Sequence, residues 1–374
     1  MALESSSAAH PWRTLWLDDA GVVKTLDQTR LPFAQVEIAL TSLEDCARAI
    51  ETMQVRGAPL IGATAAIGLA LALREAPDDA SLQRAVTRLA ATRPTAVNLH
   101  WALARVADAV VPLATPQRAR HAWAQALAIV EEDVAVNATI GEQGAALARA
   151  HFAWLSQAPG PHQGRALQWL THCNAGRLAT VAHGTALAPI YALHAAGVAQ
   201  HVWVDETRPR NQGASLTAWE LGQAGIAHTV IADNAGGQLM RAGAVDVVIV
   251  GCDRVARNGD VANKIGTYLK ALAARDCGLP FWVACPASTF DPSLVSGAEI
   301  PIEERSAREV THFSGRNERG EWTEVQVTPD GSPALNPAFD VTPARLVDAL
   351  ITERGVCAAS EAGLAALWPQ RFAR

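Results

Sequence analysis

The sequence predicts an α/β fold, in which a doubly wound parallel-sheet domain follows a smaller and mostly helical domain. Three observations lead to this prediction. Apolar residues recur at helical spacing through the first part of the chain, up to Ala150. After residue 165, short apolar runs alternate with helix-like segments, and glycines fall where those helices should end. Short apolar strands that alternate with helices form parallel sheets covered on both faces.

The first domain is predicted to span residues 1–157. Its apolar periodicity indicates five helices, over Leu43–Met53, Leu60–Arg74, Leu82–Ala91, Leu99–Val111 and Arg118–Ala150. Residues 15–36 have hydrophobic side chains at shorter spacing, which is typical of strands. The stretch 158–164 combines proline, glycine and polar residues, so we expect it to be a linker.

The second domain is predicted to span residues 165–374. Five apolar runs are expected to form strands, namely Leu167–His172, Val202–Val204, His228–Ala232, Val245–Val250 and Phe281–Ala284. The segments between them have the spacing of helices, at Ala179–Ala196, Gly213–Ala224, Gly237–Ala242 and Asn263–Arg275. The glycines expected to end these helices are Gly197, Gly225, Gly243 and Gly278.

The composition argues against several classes of function. The net charge is −6 and no basic stripe is visible, so nucleic acid is not an expected partner. The longest apolar stretch, Pro59–Leu73, is shorter than the roughly 20 residues of a membrane span and is expected to be a buried helix. The six cysteines form no CxxC pair and the N-terminus has no signal-peptide pattern. We therefore expect a cytoplasmic protein with reduced thiols.

Polar motifs follow all five predicted strands. They are Cys173–Asn174, Asp205–Arg208, Asp233–Asn234, Cys252–Arg254 and Pro286–Thr289. The carboxyl ends of parallel strands share one edge of the sheet, which is where open α/β sheets bind ligands. The sequence therefore predicts a candidate site at this edge.

Cys173 ends the first strand and is predicted to precede a helix rich in small residues. The positive end of such a helix would lower the pKa of the thiol. His172 is its neighbour, but adjacent residues on a strand point to opposite faces, so His172 is not expected to be its base. The alternative for Cys173 is a buried and inert cysteine.

Arg56 and Gly57 stand at the start of a strongly apolar helix, with Ala58 and Pro59 in its first turn. An arginine beside a helix N-terminus favours phosphate binding, and a glycine there permits close approach of the backbone. An ordinary helix start with a surface arginine has about equal weight. Arg93 is a candidate for a second guanidinium group, although a plain turn is the commoner role for such a segment.

The richest stretch of polar residues runs from Gly251 to Lys264. Asp253 follows an entirely apolar strand, so desolvation should raise its pKa toward that of a general acid, whereas Arg254 would oppose this shift. Asn263 and Lys264 are predicted to begin a helix, where an ammonium group and backbone N–H groups together suit phosphate.

The loop 205–213 provides a further candidate. Gln212 and Gly213 are suited to present an amide group and backbone N–H groups to a sugar or phosphate. Asp205 and Arg208 have the alternative of pairing with each other to brace the loop, and this is at least as well supported.

The sequence indicates neither a nucleotide cofactor nor a metal. It contains no GxGxxG after the first strand and no GxxxxGK[ST]. A metal site built from His172, Cys173 and His183 would lack the spacing and the carboxylates of known patterns.

Six segments along the chain form a specific combination of motifs. They are RGAPLIG (56–62), RPTAVNL (93–99), LTHCNAG (170–176), DETRPRNQGASLTAWEL (205–221), GCDRVARNGDVANKIGTY (251–268) and NPAFDVTP (336–343). Together they resemble the methylthioribose-1-phosphate isomerases of methionine salvage, over about Leu15 to Val356. These isomerases fall within a wider group related to regulatory subunits of the eukaryotic initiation guanine-nucleotide exchange factor.

The resemblance implies a Rossmann-like second domain, a homodimer and no cofactor. The implied reaction opens 5-methylthioribose 1-phosphate, whose anomeric phosphate prevents free ring opening, and gives 5-methylthioribulose 1-phosphate. At the matching positions, Asp253 would be the proton donor and Cys173 an assisting transition-state or proton-handling group. The implied substrate-binding residues are Arg56, Gly57, Ala58, Arg93, Gln212, Asn263 and Lys264.

The chain also departs from the family pattern. Cys252 stands where a small residue is usual, Arg257 where alanine is usual, and Phe313–Leu335 reads unlike the usual short connection. Two alternatives stay open: a binding module like the exchange-factor subunits, and an isomerase of ribose 1,5-bisphosphate or 5-deoxyribose 1-phosphate. A bisphosphate requires extra cations around the 5-substituent, whereas a methylthio or methyl group requires apolar walls.

Overall fold

The computed structural model describes residues 12–157 and 164–372 of the chain. Within these ranges the protein is a mixed α/β structure with a helical N-terminal region and a large parallel sheet. The predicted fold class is therefore confirmed at this level. Most of the predicted linker, residues 158–163, lies outside the described residues.

The N-terminal region combines a small antiparallel sheet with five helices. Its strands are β1 (Leu15–Leu17), β2 (Val23–Leu26) and β3 (Glu37–Leu40). Its helices are α1 (Leu43–Glu51), α2 (Ala58–Glu75), α3 (Asp79–Ala90), α4 (Val97–Val110) and α5 (Thr115–Gln157). These helices correspond to the five that the periodicity predicts.

Helix α2 forms the centre of the helical core. It is long and apolar enough to cross a membrane, but 78% of it is buried inside the protein. Leu60, Ile67 and Leu73 are fully buried among α1, α4 and α5. The prediction of a buried helix is therefore confirmed.

The larger region contains the remaining strands and helices. The strands are β4 (Leu167–Thr171), β5 (Gln200–Asp205), β6 (His228–Ile231), β7 (Val247–Val250), β8 (Arg254–Ala256), β9 (Val261–Lys264), β10 (Phe281–Ala284), β11 (Phe290–Asp291), β12 (His312–Arg316), β13 (Trp322–Gln326), β14 (Phe339–Thr342), β15 (Ala349–Thr352) and β16 (Gly355–Cys357). The helices are α6 (Ala188–Ala195), α7 (Ala218–Gln223), α8 (Ala235–Arg241), α9 (Thr267–Asp276), α10 (Arg308–Thr311) and α11 (Glu361–Leu367).

The main sheet has the strand order β16-β15-β10-β7-β4-β5-β6, and only the pair β15–β16 is antiparallel. Helices α5 and α6 cover one face, and α8 and α9 cover the other. Trp169 and Leu170, which are neighbours on β4, are both fully buried in opposite cores. All five predicted strands belong to this sheet, whereas β15 was not predicted. A second sheet, β11-β8-β9-β14, carries part of the polar stretch after β7.

Two predicted helices start later than expected. The helix expected from Ala179 begins at Ala188, and the helix expected from Asn263 begins at Thr267. Asn263 and Lys264 instead end β9, because that strand pairs with both β8 and β14. The glycines predicted to end helices all have φ between 68° and 73°, which confirms that prediction, at Gly197, Gly225, Gly243 and Gly278.

Helix α5 contributes to both hydrophobic cores. Ala122 and Ile129 in its first half pack in the helical core, whereas Ile140 and Ala148 in its second half pack over the sheet. One continuous helix therefore connects the two regions.

Candidate active site

A cavity of about 70 Å³ lies beyond the carboxyl ends of β4 and β7, against the start of α2. We call it the inner cavity. The sequence-predicted site residues that line it are Arg56, Gly57, Ala58, Arg93, Cys173, Gln212, Asp253 and Lys264. Asn263 is the predicted residue that does not line it, because its side chain donates a hydrogen bond to Thr267 Oγ1 at 3.0 Å.

The start of α2 brings Arg56 to the sheet edge. Gly57 precedes the helix with φ of 96°, and a Cβ atom there would lie 2.4 Å from the Cα atom of Ala179. Glycine is therefore required both by the backbone conformation and by this close approach. The guanidinium group of Arg56 donates to the side-chain oxygen of Asn174 and, at 2.8 Å, to its backbone oxygen. The predicted helix start is confirmed.

Asn174 is itself held by a buried carboxylate. Its amide nitrogen donates to Glu220 Oε1 at 2.8 Å, and this orients the amide oxygen toward Arg56. Glu220 also accepts hydrogen bonds from the backbone N–H groups of Arg177 and Leu178. Sequence reasoning missed Glu220, because it lies in the middle of an otherwise ordinary helical segment.

Cys173 follows β4 in a left-handed conformation, with φ of 66°. Its backbone N–H donates to Thr207 Oγ1 at 2.8 Å, and Thr217 Oγ1 donates to its carbonyl at 2.7 Å. The expected helix does not begin there, so the prediction of a thiol at a helix N-terminus is wrong. Burial raises the pKa of the Cys173 thiol, and Arg56 and Lys264 partly oppose this effect.

His172 points away from the cavity, as predicted. Its Nδ1 lies 2.9 Å from Asp205 Oδ2, and its Nε2 lies 2.8 Å from the carbonyl oxygen of Ile265. Both ring nitrogens are therefore engaged by these partners, which leaves neither of them free to act on Cys173. Asp205 also lies 3.1 Å from the ammonium group of Lys270. The ligand atoms of His172, Asp205 and Asp233 lie within 4.8 Å of one another, and the ammonium group of Lys270 lies beside them.

The alternative pairing of Asp205 with Arg208 is wrong. Arg208 instead donates to the backbone oxygens of Pro209, Glu309 and Val310. The Asp205 carboxylate instead contacts His172 and Lys270, because both side chains are buried beside it.

Asp253 follows β7, and burial raises the pKa of its carboxyl group, in the predicted direction. The cations that oppose this shift are Lys264, Arg93 and Arg56. Arg254, which the sequence suggested for this role, turns away and donates to Asp291 and to the backbone oxygen of Thr95. Within the described residues, the Asp253 carboxylate has no hydrogen-bond partner from another side chain.

Lys264 lies at the end of β9 and is 8% exposed. Its Nζ donates to the carbonyl oxygen of Ala338 at 2.9 Å and lies 4.8 Å from the ring centroid of Phe339. Lys264 therefore lines the inner cavity from a strand and not from the predicted helix start. Burial lowers the pKa of Lys264, while Cys173 and Asp253 raise it.

The other arginines around the inner cavity form ion pairs. Arg93 pairs with Glu303 at 3.1 Å, Arg254 with Asp291 at 3.3 Å, and Arg305 with Glu309 at 2.8 Å. Arg56 and Lys264 have no carboxylate partner within 4 Å in the part of the chain that the structure describes. Two cations without carboxylate partners in one cavity are suited to bind an anion.

The residues of the segment 300–309 were also missed. Arg305 lines the inner cavity and Glu303 accepts from Arg93, both from an irregular segment whose position no apolar periodicity could indicate. Conversely, the predicted motif Pro286–Thr289 does not reach the inner cavity. It borders a separate cavity of about 170 Å³ with Asp133 and Glu353, because β10 lies one strand further from Cys173 than β7 does.

Known proteins share this architecture. A family model described as the initiation factor 2 subunit family matches residues 54–359. The methylthioribose-1-phosphate isomerase of Paramagnetospirillum magneticum is 59% identical over 363 residues, which cover 96% of this chain and 98% of that protein. A solved 5-methylthioribose 1-phosphate isomerase from Pyrococcus horikoshii has a TM-score of 0.80 and 39% identity, with 96% of each chain covered.

A second solved structure has a different description. The translation initiation factor eIF-2B, subunit delta, from A. fulgidus has a TM-score of 0.77 and 38% identity. The match covers 96% of this chain and 99% of that chain.

The fold is that of an α/β protein of the initiation factor 2 subunit family, since the family model spans most of the chain. Within that group, the chain belongs to the methylthioribose-1-phosphate isomerase family. The predicted family and the prediction of an isomerase enzyme are confirmed by these relatives.

Proposed function

We propose that this protein isomerises 5-methylthioribose 1-phosphate to 5-methylthioribulose 1-phosphate. The observation that supports it most directly is one cavity that combines an acid, a thiol and two cations without carboxylate partners. Asp253 and Cys173 are the acid and the thiol, and Arg56 and Lys264 are the cations. The name of its 59% identical relative supplies the substrate.

In the proposed reaction Asp253 donates its proton to the ring oxygen as the bond between that oxygen and C1 breaks. The hydrogen on C2 moves to C1, and the C2 hydroxyl becomes the carbonyl as its proton returns to the Asp253 carboxylate. The C2 hydrogen travels either as a hydride or as a proton handled by Cys173. Solvent deuterium separates the two routes, because substantial label at C1 excludes a pure hydride shift.

The phosphate of the substrate also controls the protonation of Asp253. Arg56 and Lys264 hold the pKa of Asp253 below the level that burial alone would give. A phosphate bound by these two groups would offset their charges, so the carboxyl group should retain its proton when substrate is bound. Substrate binding would in this way prepare the proton donor.

A turnover assay with the purified protein, 5-methylthioribose 1-phosphate and EDTA tests the proposal. Formation of the ketose phosphate supports the substrate and an activity that does not depend on added metal. If neither this compound, nor 5-deoxyribose 1-phosphate, nor ribose 1,5-bisphosphate reacts, the binding-module alternative takes its place. That alternative is favoured by the 38% identity to the eIF-2B subunit.

We further propose a cytoplasmic homodimer that uses no cofactor or metal. We propose residues 1–157 and 165–374 as its two domains and a Rossmann-like class for the second. The class is supported by the order of the six parallel strands, which numbered along the chain is 3-2-1-4-5-6. Light scattering on the full chain tests the dimer, and a monomer at micromolar concentration would contradict it.

A further inference from the structure

A second cavity, of about 350 Å³, opens beside the inner cavity. We call it the outer cavity. The two share the lining residues Met53, Arg56 and Gln212, whereas Cys173 and Asp253 border the inner cavity alone. A ligand whose reacting carbon lies at Asp253 can therefore continue past Gln212 into the outer cavity.

The inner cavity is too small for a whole sugar phosphate. A cavity needs about 10–15 Å³ to hold a single water molecule, so 70 Å³ holds on the order of five waters. A substituted ribose phosphate has many more heavy atoms than that. The part of the substrate remote from C1, which includes the 5-substituent, must then extend into the outer cavity.

Three amide oxygens at the outer cavity have no hydrogen-bond partner in the described structure. They belong to Gln28, Asn211 and Gln212. Gln28 is 4% exposed and Gln212 is 8% exposed. The amide nitrogen of Gln28 donates to the carbonyl oxygen of Leu178 at 2.7 Å, which fixes the opposite orientation of its oxygen. Buried acceptors without partners favour a ligand that brings hydrogen-bond donors.

The outer wall of this cavity is the β12–β13 hairpin, which lies in the segment that departs from the usual family connection. Alternate residues of a strand face opposite sides, and the residues on one side line the cavity, namely His312, Ser314, Trp322 and Glu324. Val325 is on the other side and is 50% exposed.

Of the arginines that line the outer cavity, Arg56 lies at the junction with the inner cavity, and the two beyond it form ion pairs. Arg210 pairs with Glu309 at 2.9 Å, and Arg308 pairs with Glu324. These two guanidinium groups are engaged by carboxylates, so they are less available to a second phosphate, which disfavours ribose 1,5-bisphosphate. The apolar side chains of Leu31, Leu216 and Trp322 suit a thioether instead.

We infer that the outer cavity is a subsite for the 5-substituent. The enzyme then also isomerises ribose 1-phosphates whose 5-thioether arm is longer than methyl and ends in a hydrogen-bond donor such as a hydroxyl group. This inference rests on the proposed function. It makes the β12–β13 hairpin the element that limits the length of the arm.

The test compares kcat/KM for ribose 1-phosphates with a 5-methylthio, a 5-(2-hydroxyethylthio) and a 5-propylthio arm. We expect the hydroxyethylthio compound to react within about tenfold of the methylthio compound, and about fivefold better than the propylthio compound. Normal turnover of the methylthio compound with a loss of 1,000-fold or more for both longer arms would overturn the inference alone. Failure of the methylthio compound itself would instead remove the proposed function.

Two variants in the β12–β13 hairpin test whether this wall limits the length of the arm or whether any added bulk in the hairpin lowers activity. Ser314→Phe adds bulk on the cavity side of an exposed strand and should lower the ratio of kcat/KM for the longer arms to that for the methylthio compound about tenfold or more. Val325→Phe adds similar bulk on the other side and should leave the ratios unchanged. Equal ratios for Ser314→Phe and the unmodified protein would contradict the assignment of this wall.

Discussion

Asp253 and Asp133 are two carboxylates that border cavities at the same edge of the main sheet. Asp253 lies in the inner cavity beyond β7, and Asp133 lies on α5 in the cavity beyond β10. Burial raises the pKa of both groups, and that of Asp133 reaches about 7. Burial alone therefore does not distinguish an acid that reacts with a ligand from one that does not.

The two carboxylates differ in the groups that oppose the effect of burial on the pKa. At Asp133, hydrogen bonds from the backbone N–H of Val181 and from Asn137 lower the pKa, and both donors are part of the folded chain. At Asp253, three cations lower the pKa, and two of them, Arg56 and Lys264, have no carboxylate partner. The proton affinity of Asp133 is therefore fixed by the fold, whereas that of Asp253 depends on whether an anion occupies the cavity.

The largest expected difference is in turnover. Asp253→Asn removes the proposed proton donor and should lower kcat about 1,000-fold or more, since general acids typically contribute 10²–10⁴. Asp133→Asn should leave kcat within about twofold. Steady-state kinetics with both variants checks this, and near-normal turnover by Asp253→Asn would exclude the role of Asp253. Substrate binding measured by calorimetry should persist in both.

The thiol beside Asp253 gives the next largest effect. Cys173→Ala should lower kcat about 100-fold, because the side chain borders the reacting atoms. Cys252→Ala is the matched control. Cys252 precedes Asp253 directly, but its sulfur atom lies 3.7 Å from the carbonyl oxygen of Ala262 and does not line the cavity. Similar losses in both variants would assign the effect to local packing and not to the Cys173 thiol.

Removal of one cation that has no carboxylate partner should weaken substrate binding and raise the pKa of Asp253. Lys264→Met should raise KM about 10- to 100-fold, as expected when a charged hydrogen-bond partner of a phosphate is lost. Lys264 also lowers the pKa of Asp253, so its loss should raise that pKa. Because the protonated acid is the active form, the decline of kcat/KM at alkaline pH should move to higher pH. Arg254→Met, at an arginine paired with Asp291, should leave both quantities nearly unchanged.

An unchanged pH profile in Lys264→Met would contradict the electrostatic control of Asp253, even if KM rises. The same comparison applies within the unmodified enzyme. If bound phosphate offsets the cations, the alkaline decline of kcat should lie at higher pH than that of kcat/KM, since kcat reports the substrate complex.

The sequence predicted which strands form the main sheet better than it predicted the contacts of the residues around the site. Apolar runs located five parallel strands, so Cys173 and Asp253 could be assigned to one edge from strand ends alone. The partner of Asp205 could not be predicted, because Lys270 reaches it from a helix whose rotation depends on packing in the core. Lys264 was assigned to a helix, because pairing of β9 with the distant strand β14 has no local signal. Strand ends therefore placed Cys173 and Asp253 at one cavity, whereas Pro286–Thr289, also placed from a strand end, borders another one. Predictions that depend on contacts distant in sequence fail.

The smallest expected effect is on the pH dependence of the folding stability, through the ionisation of Asp133. Its pKa is raised from 3.8 to about 7 in the folded protein. Between these values the folded state binds more protons than the unfolded state, so the stabilisation present at low pH is lost as the pH rises through about 7. Asp133→Asn keeps an oxygen that can accept from Val181 and removes the ionisation. We expect the variant to match the unmodified protein near pH 4 and to be more stable by about 1–2 kcal/mol near pH 8, once solvent screening is allowed for.

Urea unfolding across this range of pH measures the difference. Inorganic phosphate sharpens the comparison, because it should bind at Arg56 and Lys264 and not beside Asp133, where Glu132 and Glu353 also border the cavity and Arg371 donates to backbone oxygens. Phosphate should therefore change the pH dependence that Asp253 contributes and leave the difference caused by Asp133→Asn unaltered. A phosphate effect on the Asp133→Asn difference would mean that the two carboxylates are coupled through the fold, and the distinction between a fixed and a ligand-controlled acid would then be wrong.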